Sequence, residues 1–455
     1  MVPRRAALVA LLSALTACVQ YEARPLDPDA ERAAIAGRMR PAELPALPPS
    51  GDPETFPLAS TVDATDGLGL DEANALALTH APALVAARSE LRLRGAELLR
   101  AGLLENPELF LGPRIDTSGG GLIFPASLRL AIPLGGRLDA EEDRAEAEIE
   151  AARRKLLVAE AEVLIDVRRR YIALASLARR REILSRTVAA TEYALEKTRQ
   201  LAAAGEVDQV ALGLAIMHRD DAEHELHELD VEATEARVAL MTEIGLIPDA
   251  TVAIIADRAI LAERDLPAAE NARLVRHPRL RALESAYLAR EHGLEVEIAE
   301  QYPRLAIGPE FESDDGATSV GLGVSLELPI FDGNAGGIAV ARERREAARA
   351  AWGHAMTELA RAAELARVHH AHARSDLVEL RESALPAAEA TERALDQRLE
   401  RGEASLVELL AAQDAIARTR LREVRLEQAA ALQWLEAMWN GGRLLVDDAP
   451  SEEAR

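Results

Sequence analysis

The sequence is written twice. NPELFLGPRID around Asn106 and YPRLAIGPEFE around Tyr302 align so that Pro107 meets Pro303, Gly112 meets Gly308 and Pro113 meets Pro309, each pair 196 residues apart. Pro82 with Pro278 and Pro133 with Pro329 keep that offset. Gly205 with Gly402 and Gly245 with Gly442 keep 197, so one single-residue slip reconciles them all. Pro and Gly punctuate a chain, so a repeated set of them implies a repeated order of elements. A period this long means duplication of a whole unit rather than a solenoid of short repeats. The reading divides the 455 residues into an N-terminal segment, a first repeat over 65–255, a linker over 256–269, a second repeat over 270–442 and a polar acidic tail over 443–455.

Each repeat begins with a helical stretch, Asp71–Glu105 and Glu270–Gln301, followed by a Pro- and Gly-punctuated stretch with two strand-like runs. Then comes a long helix, a Gly turn and a return helix. From Arg137 to Ala204 there is no Gly or Pro in 68 residues, which predicts a rod of about 100 Å at 1.5 Å per residue. The return helix, to about Ile244, carries Leu226, Leu229, Ala233, Ala236 and Leu240 at the 3-4-3-4 spacing of a coiled-coil seam. In the second repeat the turn falls at Gly402 and the return runs from Glu403 to Asn440. The outgoing arm is expected to bend at Gly353 and Pro386.

The strand runs alternate. Leu109, Leu111, Pro113 and Ile115 fall on one parity, as do Leu128, Leu130 and Ile132, while Val320, Leu322, Val324, Leu326 and Leu328 alternate with Gly, Ser and Glu. This is the apolar-out, small-or-polar-in pattern of a membrane β-barrel, although a half-buried strand of a soluble sheet shares it. Four of the five Phe, namely Phe110, Phe124, Phe311 and Phe331, lie in these blocks and are expected at the membrane–water interface. Spanning strands cannot leave open edges in lipid, and the smallest such barrels have about eight strands. Four strands per chain therefore require an oligomer, and closure alone does not choose between a dimer and a trimer.

The first 17 residues read as a signal peptide, with Arg4 and Arg5 ahead of the apolar run Ala6–Ala17. Leu15-Thr16-Ala17-Cys18 has the form of a bacterial lipobox, and Cys18 is the one cysteine. Lipidation there would anchor the mature chain. Residues 18–64 then serve as a tether, extended by the prolines between Pro41 and Pro57. With 77 Asp+Glu against 53 Lys+Arg, nucleic acid is not expected as a partner.

These features together resemble the TolC-like outer-membrane efflux protein family, over about residues 65–442. The tip motif Arg398-x-x-x-Gly402-x-x-Ser405-x-x-x-Leu409-Leu410-x-x-Gln413 is similar to the family's, with a weaker copy at Gly205, Val207 and Asp208. Asn106-Pro107-Glu108-Leu109 looks like the cobalt–zinc–cadmium subgroup. The resemblance implies a mainly α fold with a small β part. Duplicated helical hairpins would form an α-barrel, and four membrane strands per chain would complete a β-barrel in a homotrimer. It implies an exit duct from periplasm to exterior, a periplasmic adaptor touching the hairpin tips, an inner-membrane pump and outer-membrane lipid as partners, and no enzymatic activity or cofactor. Glu408 would line the periplasmic constriction and favour cations.

Two His groups, His218/His224/His227 and His369/His370/His372, are read as solvated helix faces, and no metal site is expected. No Glu lies three residues before a His, and there is no phosphate-binding loop, HExxH or nucleophile elbow. The alternatives are a periplasmic adaptor or elongated coiled-coil lipoprotein, and the outer-membrane component of type I protein secretion. An adaptor would carry one hairpin, whereas this chain has two.

Overall fold

The computed structural model describes residues 21–38, 42–43, 61–62, 67–115, 122–248, 252–268, 271–314, 317–400 and 406–443. Cys18, Gly402, Ser405 and the tail from 444 lie outside them, as does most of the proline-rich tether. The described residues 21–38 belong to a unit of their own. Its helix α1 (Pro28–Gly37) is capped by Asp27, whose Oδ1 accepts from the Asp29 and Ala30 amides at 3.1 Å. The tether is thus helical here, because Asp at the cap and Pro at the first position suit a helix start.

The two repeats make one unit. The first contains α2 (Leu70–His80), α3 (Pro82–Leu98), β1 (Glu108–Leu111), β2 (Arg114–Ile115), β3 (Leu122–Pro133), α4 (Arg137–Ala203) and α5 (Gln209–Glu243). The second contains α6 (Asn271–Leu274), α7 (Pro278–Ala299), β4 (Arg304–Asp314), β5 (Ala317–Leu326), α8 (Ala335–Glu379), α9 (Leu385–Glu400) and α10 (Leu406–Asn440). A 3₁₀ turn, Arg258–Leu261, lies in the linker.

Two expectations are corrected. The single opening helices are each broken, because the residue before a proline is pushed out of the helical region. Ala81 and His277 stand at ψ 130 and 131°, and Pro82 and Pro278 restart the chain at the first position of α3 and α7. The outgoing arm is not interrupted at Gly353, which α8 carries through. It widens instead into a π turn at Leu380–Ala384, just before Pro386, whose ring cannot accommodate the carbonyl four residues back.

α4, α5 and α10 end by the same device. Gly205, Gly245 and Gly442 take φ 78, 75 and 75°, and the next amide reaches back to Leu201, Met241 and Met438 respectively at 2.8–2.9 Å. These are Schellman closures, which need the left-handed conformation glycine takes freely.

β1 and β2 are two segments of one edge strand, split at Gly112-Pro113, and both pair antiparallel with β3. The sheet continues to β4 and β5 in chain order, all antiparallel. The helices prolong it in the same sequence: α3 packs on α4, α4 on α7 and α7 on α8. The repeats are thus interleaved along one wall.

Small apolar clusters hold the wall along its length. Leu177 and Leu184 of α4 meet Leu226, Leu229, Ala233 and Ala236 of α5, the seam legible in the sequence. Lower down, Ala194 packs on Leu395, Leu409 and Leu410. The largest cluster joins Ile165 and Ile172 of α4 to Trp434, Leu435 and Met438 of α10, with the linker's Leu261, Ile260 and Leu266 against it.

His277 is fully buried. Its Nδ1 accepts from the Arg279 amide at 3.1 Å, and its ring meets Trp439 edge-on at 4.5 Å. Burial, helped by Arg279, lowers its pKa from 6.5 to about 4. The unfolded chain therefore takes up the proton first as pH falls. Stability from this residue is complete above pH 6.5 and is lost progressively down to about pH 4, by about 3 kcal/mol. Thermal melts of the assembled protein should show that slope, and His277→Asn should flatten it relative to wild type.

Candidate functional site

The register sorts the sheet residues onto two faces, because residues directly opposite share a side. Leu109 pairs with Leu128, Leu130 with Ile307, Ile307 with Val324, and Phe311 with both Ala126 and Val320. One face therefore carries Leu109, Leu111, Phe124, Leu128, Phe311, Val320, Leu322, Val324 and Leu326, each between 42% and 75% exposed. No part of the described chain covers this face, and an apolar patch of such extent needs an apolar neighbour. The opposite face holds Ser127, Arg129, Gly308, Glu310, Gly321, Gly323 and Ser325, with Arg129 and Glu310 paired at 3.7 Å. One side suits lipid and the other water.

The four phenylalanines divide. Phe124 and Phe311 lie on the apolar face, near the end of the sheet away from the helices. Phe110 is opposite Ser127 and so belongs to the polar face, its ring lying over Gly112. The odd-parity apolar set of β1 already implied this, so Phe110 is corrected as a lipid-girdle residue. Phe331 lies beyond β5, between strand and helix, and is 97% exposed.

The strands end in tight junctions. Asn334, the one non-glycine at positive φ among the described residues (56°), starts α8, and its amide nitrogen donates to the Glu297 carbonyl and carboxylate at 2.9 and 2.8 Å. The first repeat uses Gly136 at φ 73° instead. Arg137 follows it and pairs with Glu141 at 2.8 Å and Glu300 at 3.4 Å.

At the other end of the helices, the first tip turns at Gly205. Asp208 then caps α5 by accepting from the Ala211 amide at 2.9 Å, while Val207 is half-buried. In the second hairpin Arg398 of α9 pairs with Glu408 of α10 at 3.0 Å. The two residues predicted as separate tip and constriction groups are thus one ion pair. Glu408 is exposed, while Leu409 and Leu410 beside it are buried.

Sequence reading missed an ionic hub in the middle of the wall. Glu427 of α10 is 6% exposed. It binds Arg179 of α4 and, at 2.7 Å, Arg381 of the π turn. Arg381 also reaches Glu423 at 3.1 Å and Glu263 of the linker. Burial, with the neighbouring Glu423 carboxylate, raises the Glu427 pKa despite the two guanidiniums. Residues so far apart in the chain leave no spacing signal. Of the predicted His groups, His224 pairs with Glu228 at 3.2 Å, and His370 is buried with its pKa lowered by that burial.

Among the described residues no helix is long and apolar enough to cross a membrane, which leaves the sheet as the element with a lipid-type face. Residues 271–441 match the family described as "Outer membrane efflux protein". The chain is 24% identical over 362 residues to the cobalt-zinc-cadmium resistance protein CzcC of Cupriavidus metallidurans, covering 79% of this chain and 86% of that one. Its fold is similar to the outer membrane channel CmeC of Campylobacter jejuni (TM-score 0.70, 14% identity, 93% and 94% of the two chains). It is also similar to the open state of the outer membrane channel MtrE of Neisseria gonorrhoeae (TM-score 0.68, 16% identity, 94% and 98%). The family match and the relative's name point to efflux rather than to the adaptor, coiled-coil lipoprotein or type I secretion alternatives. By sequence over its second repeat the chain is similar to the outer membrane efflux protein family, and by fold over both repeats it is similar to outer membrane channels.

Proposed function

We propose that three copies of this chain form the outer-membrane exit duct of a tripartite efflux system, and that the duct carries divalent metal cations. The observation that carries the duct is the unclosed sheet. It has one exposed apolar face, one polar face and two unpaired edges, and it continues strand by helix into a wall of the same order. Lipid tolerates no open edges. Three copies would close about twelve strands and leave a passage, whereas two would close about eight and fill it with side chains. The metal cargo is supported by the name of the CzcC relative. The tips at Gly205, Val207, Asp208, Arg398, Gly402 and Ser405 would meet the adaptor, and a lipid on Cys18 would add an anchor. No step of this role needs catalysis or a cofactor.

Purified protein should run as a heat-resistant trimer and conduct ions in a planar bilayer. Deletion of the gene should sensitise cells to zinc, cobalt or cadmium. A monomer that conducts nothing would overturn the duct. Sensitivity to organic compounds alone would overturn the cargo.

The Arg398–Glu408 pair bears on selectivity, because a carboxylate 3.0 Å from a guanidinium offers an ion little net charge. If Glu408 rings the constriction, Arg398→Ala should raise the cation preference of single channels several-fold at low salt, where such charges are least screened. Glu408→Ala in the same background should abolish the gain. Unchanged reversal potentials in both would remove Glu408 from the pore.

A further inference from the structure

We propose a divalent-metal site, formed by Asp143, His292 and Glu295, where α4 and α7 cross close to the sheet. One donor atom from each residue lies within 4.8 Å of the others. His292 Nδ1 stands 2.9 Å from Glu295 Oε2, since residues three apart share a helix face. Asp143 faces the pair from α4, 149 positions away in the chain.

Three features make this a site rather than a chance grouping of charges. The first is the donor set. One imidazole and two carboxylates are the mixed nitrogen and oxygen ligands that zinc and cobalt accept, and a water would complete a tetrahedron. Donors about 2.1 Å from a tetrahedral zinc stand about 3.4 Å apart, so an ion would draw the group in from its present spread of up to 4.8 Å. The second is electrostatic. Arg–Glu and Arg–Asp pairs are abundant along these helices, yet among the described residues Asp143 has no cationic partner and Glu295 none but His292. Arg144, next to Asp143 in the chain, pairs with Glu148 at 3.9 Å. The third is support. α7 is fixed behind His292 by the cluster Leu294, Ile338 and Ala341, and by Arg345 on Glu291 at 3.3 Å. The backbone that presents the imidazole is therefore held on a packed element, as a metal site requires.

The site does not depend on what the duct carries. It would pin α4 to α7, and hence the first repeat to the second, directly below the sheet. Its failure would leave the duct reading untouched, and failure of the cargo reading would leave the site untouched.

The test uses the purified full-length assembled protein, stripped with chelator. It is titrated with Zn²⁺ by calorimetry and with Co²⁺ by its visible ligand-field bands, which report coordination directly. One ion per chain is expected. His292→Ala and Asp143→Asn should each weaken it by more than about tenfold, the loss that even outer-shell changes produce. Both variants should still assemble, because neither side chain is buried in a core cluster. With ten histidines in the chain, the control is His218→Ala/His224→Ala/His227→Ala, which should bind as wild type. Equal binding by wild type and His292→Ala, loss of binding only in the triple variant, or no binding at all would each overturn the proposal.

Discussion

Glu427→Ala is expected to destabilise the chain by about 3 kcal/mol, the lower end of what removal of one partner from a buried ion pair costs. The variant removes the carboxylate that Arg179 and Arg381 share, leaving Arg179 only Glu423 at 4.0 Å, and both guanidiniums are only partly exposed. The lower end is appropriate because Arg381 keeps Glu423 and Glu263 and water reaches it. The direction of the Glu427 shift sharpens the expectation. Its pKa is raised, with desolvation the largest cause and the Glu423 carboxylate adding to it, so burial and like-charge repulsion together outweigh what the arginines return. Protonation is thus easier in the folded chain than in the unfolded one. This residue's contribution is complete below the unfolded pKa and is lost as pH rises through the folded one. Glu427→Gln, which keeps the shape and one acceptor, should lose less than Ala at neutral pH. The midpoint of thermal unfolding of the detergent-solubilised protein measures both. Equal midpoints for wild type and Glu427→Ala would mean that the hub is solvated and contributes nothing.

What could be read from the sequence followed from local rules. The offset prolines and glycines marked the repeats, because only those residues start a helix at Pro82 and Pro278 or end one at Gly205, Gly245 and Gly442 for reasons of their own backbone. Alternation in β3–β5 and the 3-4 spacing of α5 were legible because one period governs each element. The errors were also local. Helical composition runs straight through Pro82 and Pro278, yet the residue before each proline leaves the helical region and breaks the helix. Phe110 shares a block with the other phenylalanines, but its parity puts it opposite Ser127. The hub around Glu427 and the trio at His292 were beyond reach. Both join helices that pack only after the two repeats interleave, so no spacing in the sequence brings Asp143 to His292 or Glu427 to Arg179.

Gly308→Val should abolish assembly of the barrel. A Cβ at Gly308 would stand 1.7 Å from the Leu128 carbonyl oxygen and 3.3 Å from the Arg129 Cα. These are backbone atoms of β3, so no rotamer relieves the clash and the strands must part. They part where the first repeat's strands join the second's, since among the described strands β3–β4 is the link between them. That crossing is already tight: pairing is recorded on both sides of Leu128 and Arg129, at Ser127↔Glu310 and Leu130↔Ile307, but not through them. Opposite Leu128 stands Pro309, which has no amide to donate. A chain that cannot join its halves offers the wrong edges to its neighbours, and unpaired edges in lipid cost several kcal/mol per group. Gly321 supplies the control. It lies on the same polar face, in β5, and a Cβ there meets nothing within 4 Å. Gly321→Ala should therefore form heat-resistant oligomers as well as wild type does, while Gly308→Val should yield monomer or no protein in the outer membrane. If Gly321→Ala failed as completely as Gly308→Val, the polar face would be packed against something rather than open to water, and the sheet could not be the wall of a passage.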